Sequence, residues 1–83
     1  MKLKILTPEK TIFEGEASIA TLPTSSGKIS ILDNHTPLVS SVSQGEIKIK
    51  SENGERIFKN GGGVVQTINN QTVVLLTNCK EEN

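Results

Sequence analysis

The chain has 83 residues, nine basic and nine acidic side chains, two phenylalanines as its only aromatic residues, and one cysteine. Such a length allows one small domain that buries roughly 60 to 65% of its unfolded surface, which disfavours a deep catalytic cleft. Zero net charge, scattered lysines and the lack of Trp and Tyr disfavour nucleic-acid binding.

The same composition limits where the chain can reside. Cys79 is the single cysteine and no N-terminal apolar run is present, which together indicate a reducing compartment. The longest apolar stretch, Val73 to Leu76, is far too short to cross a bilayer. We therefore expect no direct membrane insertion, and any membrane association must come through a partner.

Apolar residues recur at every second position, a period typical of strands with one buried face. The alternating sets are Leu3 and Ile5; Ala17, Ile19 and Thr21; Ile29 and Ile31; and Ile47 and Ile49. No segment has the spacing of an amphipathic helix. The pattern predicts an all-β chain.

Two hairpins follow from the turn residues. Asn53-Gly54 lies between alternating runs and predicts a type I′ turn joining strands at about 46 to 51 and 55 to 59. Asn69-Asn70 predicts a second hairpin, although Asn-Asn adopts the left-handed conformation less readily than Asn-Gly. Its second strand, Thr72 to Thr77, has apolar residues on both faces, which is typical of a central strand covered on both sides.

The positions of the prolines and of the glycine triplet agree with a chain of many short strands. Pro8, Pro23 and Pro37 lie outside the interiors of the alternating runs. Three successive glycines at 61 to 63 favour a sharp corner, a bulge or a close backbone approach. The pattern predicts one domain, residues 1–83, folded as a flattened β-sandwich or barrel, with 80–83 as a frayed tail.

His35 is the only histidine, and it lies in the segment "ILDNHTPLVSSV". Asp33 could orient it as a base, and Ser40 or Ser41 could be the nucleophile. However, no oxyanion donors or strand-to-helix elbow accompany these residues. The pattern favours a structural loop in which Asp33 or Asn34 caps its own turn and the His35 ring packs against a neighbour.

Metal and nucleotide sites are also disfavoured. His35, Cys79 and Asp33 have none of the spacings that assemble a zinc site. The glycine-containing stretches "TSSGK" at 24–28 and "NGGGVV" at 60–65 lack the rest of a phosphate-binding loop and its following helix. We therefore expect no cofactor, and "TSSGK" is interpreted as a hairpin tip that is either a plain exposed turn or a partner contact.

Several blocks occur in the order found in one family. They are "TPEKTIFEGE", "TLPTSSGKISILDNHTPL", "GEIKIK" and the Gly-Gly-x-Val strand that precedes "TVVLLT". Over about residues 2–78 the chain resembles the N-terminal domain of the epsilon subunit of F-type ATP synthases. The resemblance implies a flattened ten-stranded β-sandwich in a non-catalytic subunit of the central stalk, peripheral to the cytoplasmic face of the bacterial inner membrane.

The resemblance also implies partners and contact residues. Thr7, His35 and Ser40 would face the gamma subunit. Ser25, Ser26, Gly27 and Lys28 would contact the c-ring, so that the subunit couples proton flow to ATP synthesis. Lys28 and Ser30 replace an acidic residue and a glycine that are usual in the family, which alters the charge offered to the c-ring.

The family typically continues into a C-terminal helical hairpin, which binds ATP in some members and can block rotation. Because this chain ends at Asn83, either as a natural short form or as a truncated one, we expect neither nucleotide binding nor self-inhibition.

Two rival interpretations remain open. One is a carrier domain of the lipoyl or biotinyl kind, which needs a lysine at an exposed hairpin tip. The other is a small hydrolase built on Asp33, His35 and a serine.

Overall fold

A computed structural model describes residues 1–82 of the chain. These residues form two five-stranded sheets packed face to face, which confirms the predicted all-β sandwich. The ten strands are β1 (Lys2–Leu6), β2 (Thr11–Glu16), β3 (Ile19–Thr24), β4 (Gly27–Leu32), β5 (Leu38–Val42), β6 (Gly45–Ser51), β7 (Gly54–Asn60), β8 (Gly63–Ile68), β9 (Gln71–Leu76) and β10 (Cys79–Glu82). Within residues 1–82 no helix is long and apolar enough to span a membrane.

Strand order places β2-β1-β9-β8-β5 in the first sheet, called sheet A, and β10-β7-β6-β3-β4 in the second, called sheet B. All neighbouring strands are antiparallel except β1 and β9, which run parallel. The turns between strands therefore collect at two ends of the sandwich. The His35 end holds the loop 33–37, and the Gly27 end holds the 24–27 turn.

The core comes from the inward-facing positions of both sheets. Ile5 of β1, Phe58 of β7, Val65 of β8 and Val74 of β9 are fully buried, and Leu3 of β1 is nearly so. Apolar burial of this kind stabilises by about 25 cal/mol per Å². The alternation predicted for β1 and β6 is correct, because Ile47 and Ile49 are buried as well.

The prediction that Ile19 and Thr21 belong to the buried face of β3 is wrong. Ala20 and Leu22 point into the core, whereas Ile19 and Thr21 are only half-buried on the other side. Ala17 and Ser18 belong to the connection before the strand, so the alternation restarts at Ile19. Pro23 also lies inside β3, contrary to expectation. It is tolerated there because β6 pairs with β3 only as far as Thr21.

Both predicted hairpins form, but the first does not have the predicted type I′ turn. Ser51 pairs with Gly54, so Glu52 and Asn53 are the central residues, and only the glycine is left-handed (φ 110°). This is typical of a type I turn followed by a glycine bulge. Asn69 and Asn70 instead have φ values of 52° and 60° between the paired ends of β8 and β9, as a type I′ turn requires.

The expected frayed tail is wrong for residues 80–82, which lie in β10 and pair with β7. Arg56 of β7 explains the order, because its Nε and Nη2 donate to the Glu81 carboxylate at 2.8 and 2.7 Å. The Arg56 guanidinium also lies 5.0 Å from the ring centre of Phe13 and 5.6 Å from that of Phe58. This cluster joins both sheets. Asn83 lies outside the described residues.

The glycine triplet forms the predicted corner between β7 and β8. A Cβ on Gly63 would lie 1.9 Å from the carbonyl oxygen of Leu75, so only glycine allows this approach of the two strands. Gly62 is left-handed (φ 107°), and its N–H donates to Asn60 Oδ1 at 2.7 Å. The buried Asn60 amide also donates to the carbonyls of Ser43 and Gly45 at 3.3 and 2.9 Å.

Gly63→Ala is expected to destabilise the domain by about 3 kcal/mol or more, because the strand backbone must move to admit the new Cβ. Gly15→Ala is the matched control, since its Cβ would only touch the Phe13 ring at 3.7 Å. It should change the free energy of unfolding by less than about 0.5 kcal/mol. Urea unfolding of both variants measures the difference, and equal stabilities would contradict the close approach.

Glu81→Gln is expected to weaken the acid sensitivity of the fold. The hydrogen bonds from Arg56 lower the pKa of Glu81 below its ordinary value of 4.5. A lowered folded-state pKa stabilises the fold above the ordinary pKa, and this contribution is lost as the pH falls through the lowered value. Thermal unfolding across acidic pH should therefore show a shallower decline for Glu81→Gln. Glu55→Gln, at an exposed position with no ion pair among the described residues, should leave the decline unchanged.

Candidate partner-binding surface

The outer face of sheet A carries an apolar surface that surrounds the exposed Gln66 of β8. Five side chains make this surface, called the apolar face: Val39 of β5, Val64 and Ile68 of β8, and Val73 and Leu75 of β9. Val39 is 73% exposed, and Val64, Ile68 and Leu75 are 44 to 48% exposed. Four of the five large apolar side chains that the structure exposes thus lie on one face, which marks a contact surface rather than scattered exposure.

Strand register brings these side chains together. Val64 lies opposite Leu75, and Gln66 lies between Val39 on one neighbouring strand and Val73 on the other. Adjacent strands are about 4.8 Å apart, so aliphatic side chains on one face touch directly across the ladder. Lys4 and Glu14 form an exposed ion pair at 3.6 Å on β1 and β2, which borders the apolar face with charge.

The apolar face corrects the prediction for the second strand of the Asn69-Asn70 hairpin. That strand, β9, is central in sheet A as predicted, but it is not covered on both sides. Val74 is fully buried and Leu76 nearly so, whereas Leu75 is exposed and Val73 half-exposed. Apolar residues on both faces of β9 are consistent with an exposed apolar surface as well as with a strand that is covered on both sides. The prediction for this strand rests on the second explanation alone.

The outer face of sheet B has a different character. Its central strand β6 carries Glu46, Lys48 and Lys50, all of them exposed. Leu32, at the edge of this sheet on β4, is its one large exposed apolar side chain. The two outer faces of the same sandwich therefore differ in what they can bind.

The loop around His35 is held by backbone and side-chain bonds. Asn34 is left-handed (φ 61°), and its N–H donates to the side-chain oxygen of Asn70 at 2.7 Å. The Asp33 carboxylate accepts a hydrogen bond from the Met1 α-ammonium group instead of capping its own turn. The prediction that Asp33 or Asn34 caps its own turn is therefore wrong, because the side chain of Asn70 caps the loop.

His35 has no catalytic arrangement around it. Its Nδ1 lies 2.7 Å from the Thr36 carbonyl oxygen, a contact in which Nδ1 carries the proton and donates. Asp33 bonds elsewhere, and Ser40 Oγ donates to the Ser41 carbonyl at 3.0 Å. The residues of the rival hydrolase are thus engaged separately. Within residues 1–82 no three His, Cys, Asp or Glu side chains come close enough to hold a metal ion.

The three residues expected to face gamma are spread across sheet A. Thr7 lies at the Gly27 end, where its N–H donates to the Lys10 carbonyl at 3.0 Å. His35 lies at the opposite end, beside the start of β5. Since β1 and β5 are separated by two strands, about 14 Å of sheet lies between them. Thr7 and His35 therefore lie at opposite corners of sheet A, and the apolar face lies between them.

Ser40 does not point outward. It pairs with the buried Val65 and is half-buried on the inner side of β5, whereas its neighbours Val39 and Ser41 are exposed. The strand was predicted as part of the contact surface, but the outward residues on it are Val39 and Ser41.

The 24–27 turn forms an exposed tip, as the sequence predicts. Ser25 and Ser26 occupy its centre, and Gly27 is left-handed (φ 113°). Thr24 Oγ1 donates to the Gly27 carbonyl at 2.6 Å and accepts from the Ser26 N–H at 3.2 Å. Lys28 follows, exposed and without an ion pair among the described residues. The tip is thus closed by local hydrogen bonds and carries the positive charge of Lys28.

The carrier interpretation meets no support at the two-residue turns. Their central residues are Ser25-Ser26, Glu52-Asn53 and Asn69-Asn70, so none presents a lysine for modification. Burial, and then the nearby Glu81 charge, raise the pKa of the Cys79 thiol, which lowers the fraction present as the reactive thiolate.

The fold and its surfaces define a small two-sheet β-sandwich module with one apolar and one charged outer face. Residues 1–82 match the family model described as "ATP synthase, Delta/Epsilon chain, beta-sandwich domain". The chain belongs to this family.

Curated relatives agree with that membership. The chain is 39% identical over 80 residues to the ATP synthase epsilon chain of Ruminococcus albus, an alignment that covers 96% of this chain and 60% of the relative. It is 38% identical over 82 residues to the epsilon chain of Clostridium novyi, with 96% and 61% covered. The chain thus spans about three fifths of the length of these relatives.

Solved structures share the fold. A chain in the mitochondrial ATP synthase of Euglena gracilis, in an assembly with OSCP, F1 and the c-ring, superposes with a TM-score of 0.89 at 17% identity. The match covers 95% of this chain and 51% of that one. A chain from the central stalk and c-ring of the Tetrahymena thermophila enzyme has a TM-score of 0.82 at 20% identity, with 96% and 65% covered.

Proposed function

We propose that this chain acts as the β-sandwich part of an epsilon subunit in an F-type, proton-translocating ATP synthase. It is a non-catalytic part of the central stalk, bound peripherally at the cytoplasmic face of a bacterial inner membrane. The proposed role needs no cofactor. The family match over residues 1–82 supports the assignment, together with relatives whose names are ATP synthase epsilon chain.

The gamma subunit is the proposed partner of the apolar face. The observation that carries this proposal is the concentration of exposed aliphatic side chains between Thr7 and His35. Burying Leu75, Val64 and Val39 against a partner removes apolar area from water and favours association. Thr7 and His35 then contribute polar contacts at the rim. Ser40 acts from the inner side of β5 by fixing the strand on which Val39 is presented.

The c-ring is the proposed partner of the tip formed by Ser25, Ser26, Gly27 and Lys28. The tip lies at one end of sheet B, away from the centre of the apolar face, so one rigid domain can hold both partners at once. Lys28 supplies a free positive charge that favours an acidic or carbonyl-rich surface. Torque then passes between the two contacts through the core, because a close-packed interior has low compressibility.

Leu75→Lys is expected to weaken binding to the cognate gamma subunit at least tenfold, since a charge is then buried within the apolar face. Leu32→Lys is a matched control, because Leu32 is 50% exposed and Leu75 is 48% exposed. Leu32 lies on sheet B, outside the apolar face. Calorimetric titration of each variant with gamma gives the affinities. Equal losses for both variants, or none for Leu75→Lys, would show that gamma binds elsewhere.

Lys28→Glu is expected to weaken the contact with the c-ring and leave gamma affinity unchanged, because the tip lies outside the apolar face. Co-sedimentation of the gamma complex with c-ring reconstituted in lipid vesicles measures the first effect, and calorimetry measures the second. Lys48→Glu, on the exposed outer face of β6, controls for net charge. If the two charge reversals behave alike, the tip has no special role in the contact.

A further inference from the structure

Each sheet has two edge strands, and three of the four are protected by charge. Glu14 and Glu16 lie on β2, Lys28 lies on β4, and Lys80 with two glutamates lies on β10. The sequence of β5 is Leu-Val-Ser-Ser-Val, with no charged residue and no proline. Uncharged edges of this kind are templates for pairing with another strand.

The outer edge of β5 is open. Its residues pair with β8 on one side. Among the described residues, no other backbone hydrogen bond involves residues 38–42, and the nearest one joins the Ser43 N–H to the Pro23 carbonyl at 2.9 Å. Val39 on this strand is also the most exposed of the five large apolar side chains the structure exposes. An unpaired backbone edge and an uncovered apolar side chain thus coincide.

We propose that β5 pairs with β5 of a second copy of this chain, antiparallel about a two-fold axis at Ser40. Such an axis requires each contact to occur twice, with the two residues exchanged. In β5 it places Leu38 opposite Val42 of the second copy, and Val39 opposite Ser41 of the second copy. Apolar meets apolar on the inner side, a valine meets a small hydroxyl side chain on the outer side, and no charge is buried.

The edges formed by β2 and β10 do not offer this self-complementarity. Two β2 strands paired in the same way bring Glu14 opposite Phe13, and Glu14 is already in an ion pair with Lys4. On β10, Glu81 and Glu82 are held by Arg56 and Lys59. Pairing there strips water from charges that already have partners.

The pairing joins two copies of sheet A into one ten-stranded sheet and brings the two apolar faces side by side. This inference goes beyond the proposed function, because it concerns the chain without its partners. The dimer covers β5 and Val39, while Leu75 lies two strands away from the new contact. A failure of the dimer therefore does not bear on gamma binding, which Leu75→Lys tests separately.

Sedimentation equilibrium over a wide concentration range tests the dimer. The average mass is expected to rise from the 8.9 kDa of one chain to twice that value. Val39→Lys is expected to weaken dimerisation at least tenfold. Leu32→Lys, which also places a lysine at an exposed apolar position on an edge strand, is expected to leave it unchanged. A chain that stays monomeric, or a dimer lost equally in both variants, overturns the proposal.

A cross-linking experiment tests the axis itself. Ser40→Cys places two thiols opposite each other at the two-fold axis, within the range that a disulfide spans. Mild oxidation is expected to cross-link this variant faster than the unsubstituted chain, in which Cys79 is the only thiol. Equal cross-linking rates for the two proteins overturn the pairing about Ser40. A dimer that forms through another surface gives this result, and so does a β5 edge that pairs only with a strand of a different protein.

Discussion

The corner at residues 60–63 is the constraint on which the arrangement of both sheets depends. Gly63 has no Cβ, so β8 can approach the Leu75 carbonyl of β9 closely. Any other residue at position 63 would place its Cβ against that carbonyl oxygen. The Asn60 side chain binds the carbonyls of Ser43 and Gly45 and the N–H of Gly62. One buried amide therefore fixes the passage from β5 to β6 and that from β7 to β8, which are two of the crossings between the sheets.

The register between β8 and β9 also determines which side chains are exposed on sheet A. A shift of one residue in a strand exchanges its two faces, so the pairing of β8 and β9 decides which apolar side chains are buried. The Asn69-Asn70 turn at one end and Gly63 at the other hold Val65 opposite Val74 in the core. Val64 and Leu75 must then face outward. The apolar face is a direct consequence of the same geometry that builds the core.

Local pattern was enough to predict several of the strands and both hairpins, because alternation and turn residues act over short distances. It did not predict the parallel pairing of β1 with β9, which joins segments about 70 residues apart. It also missed β10, whose order depends on Arg56 reaching Glu81 across the sheet. The turn at Asn53-Gly54 differs from expectation because Ser51 pairs with Gly54, and a register of this kind is decided by the whole ladder.

The candidate surface was harder to predict than the fold, since apolar residues on both sides of a strand have two explanations. Sheet B shows that the fold itself does not require an apolar exterior, because β6 presents Glu46, Lys48 and Lys50 to water. The exposed Leu75, Val64 and Val39 lie outside the buried core. Under the proposed function, the gamma subunit covers these side chains. The proposed gamma contact lies on the opposite sheet from the Lys28 tip, so a load between the two proposed contacts would cross the packed interior.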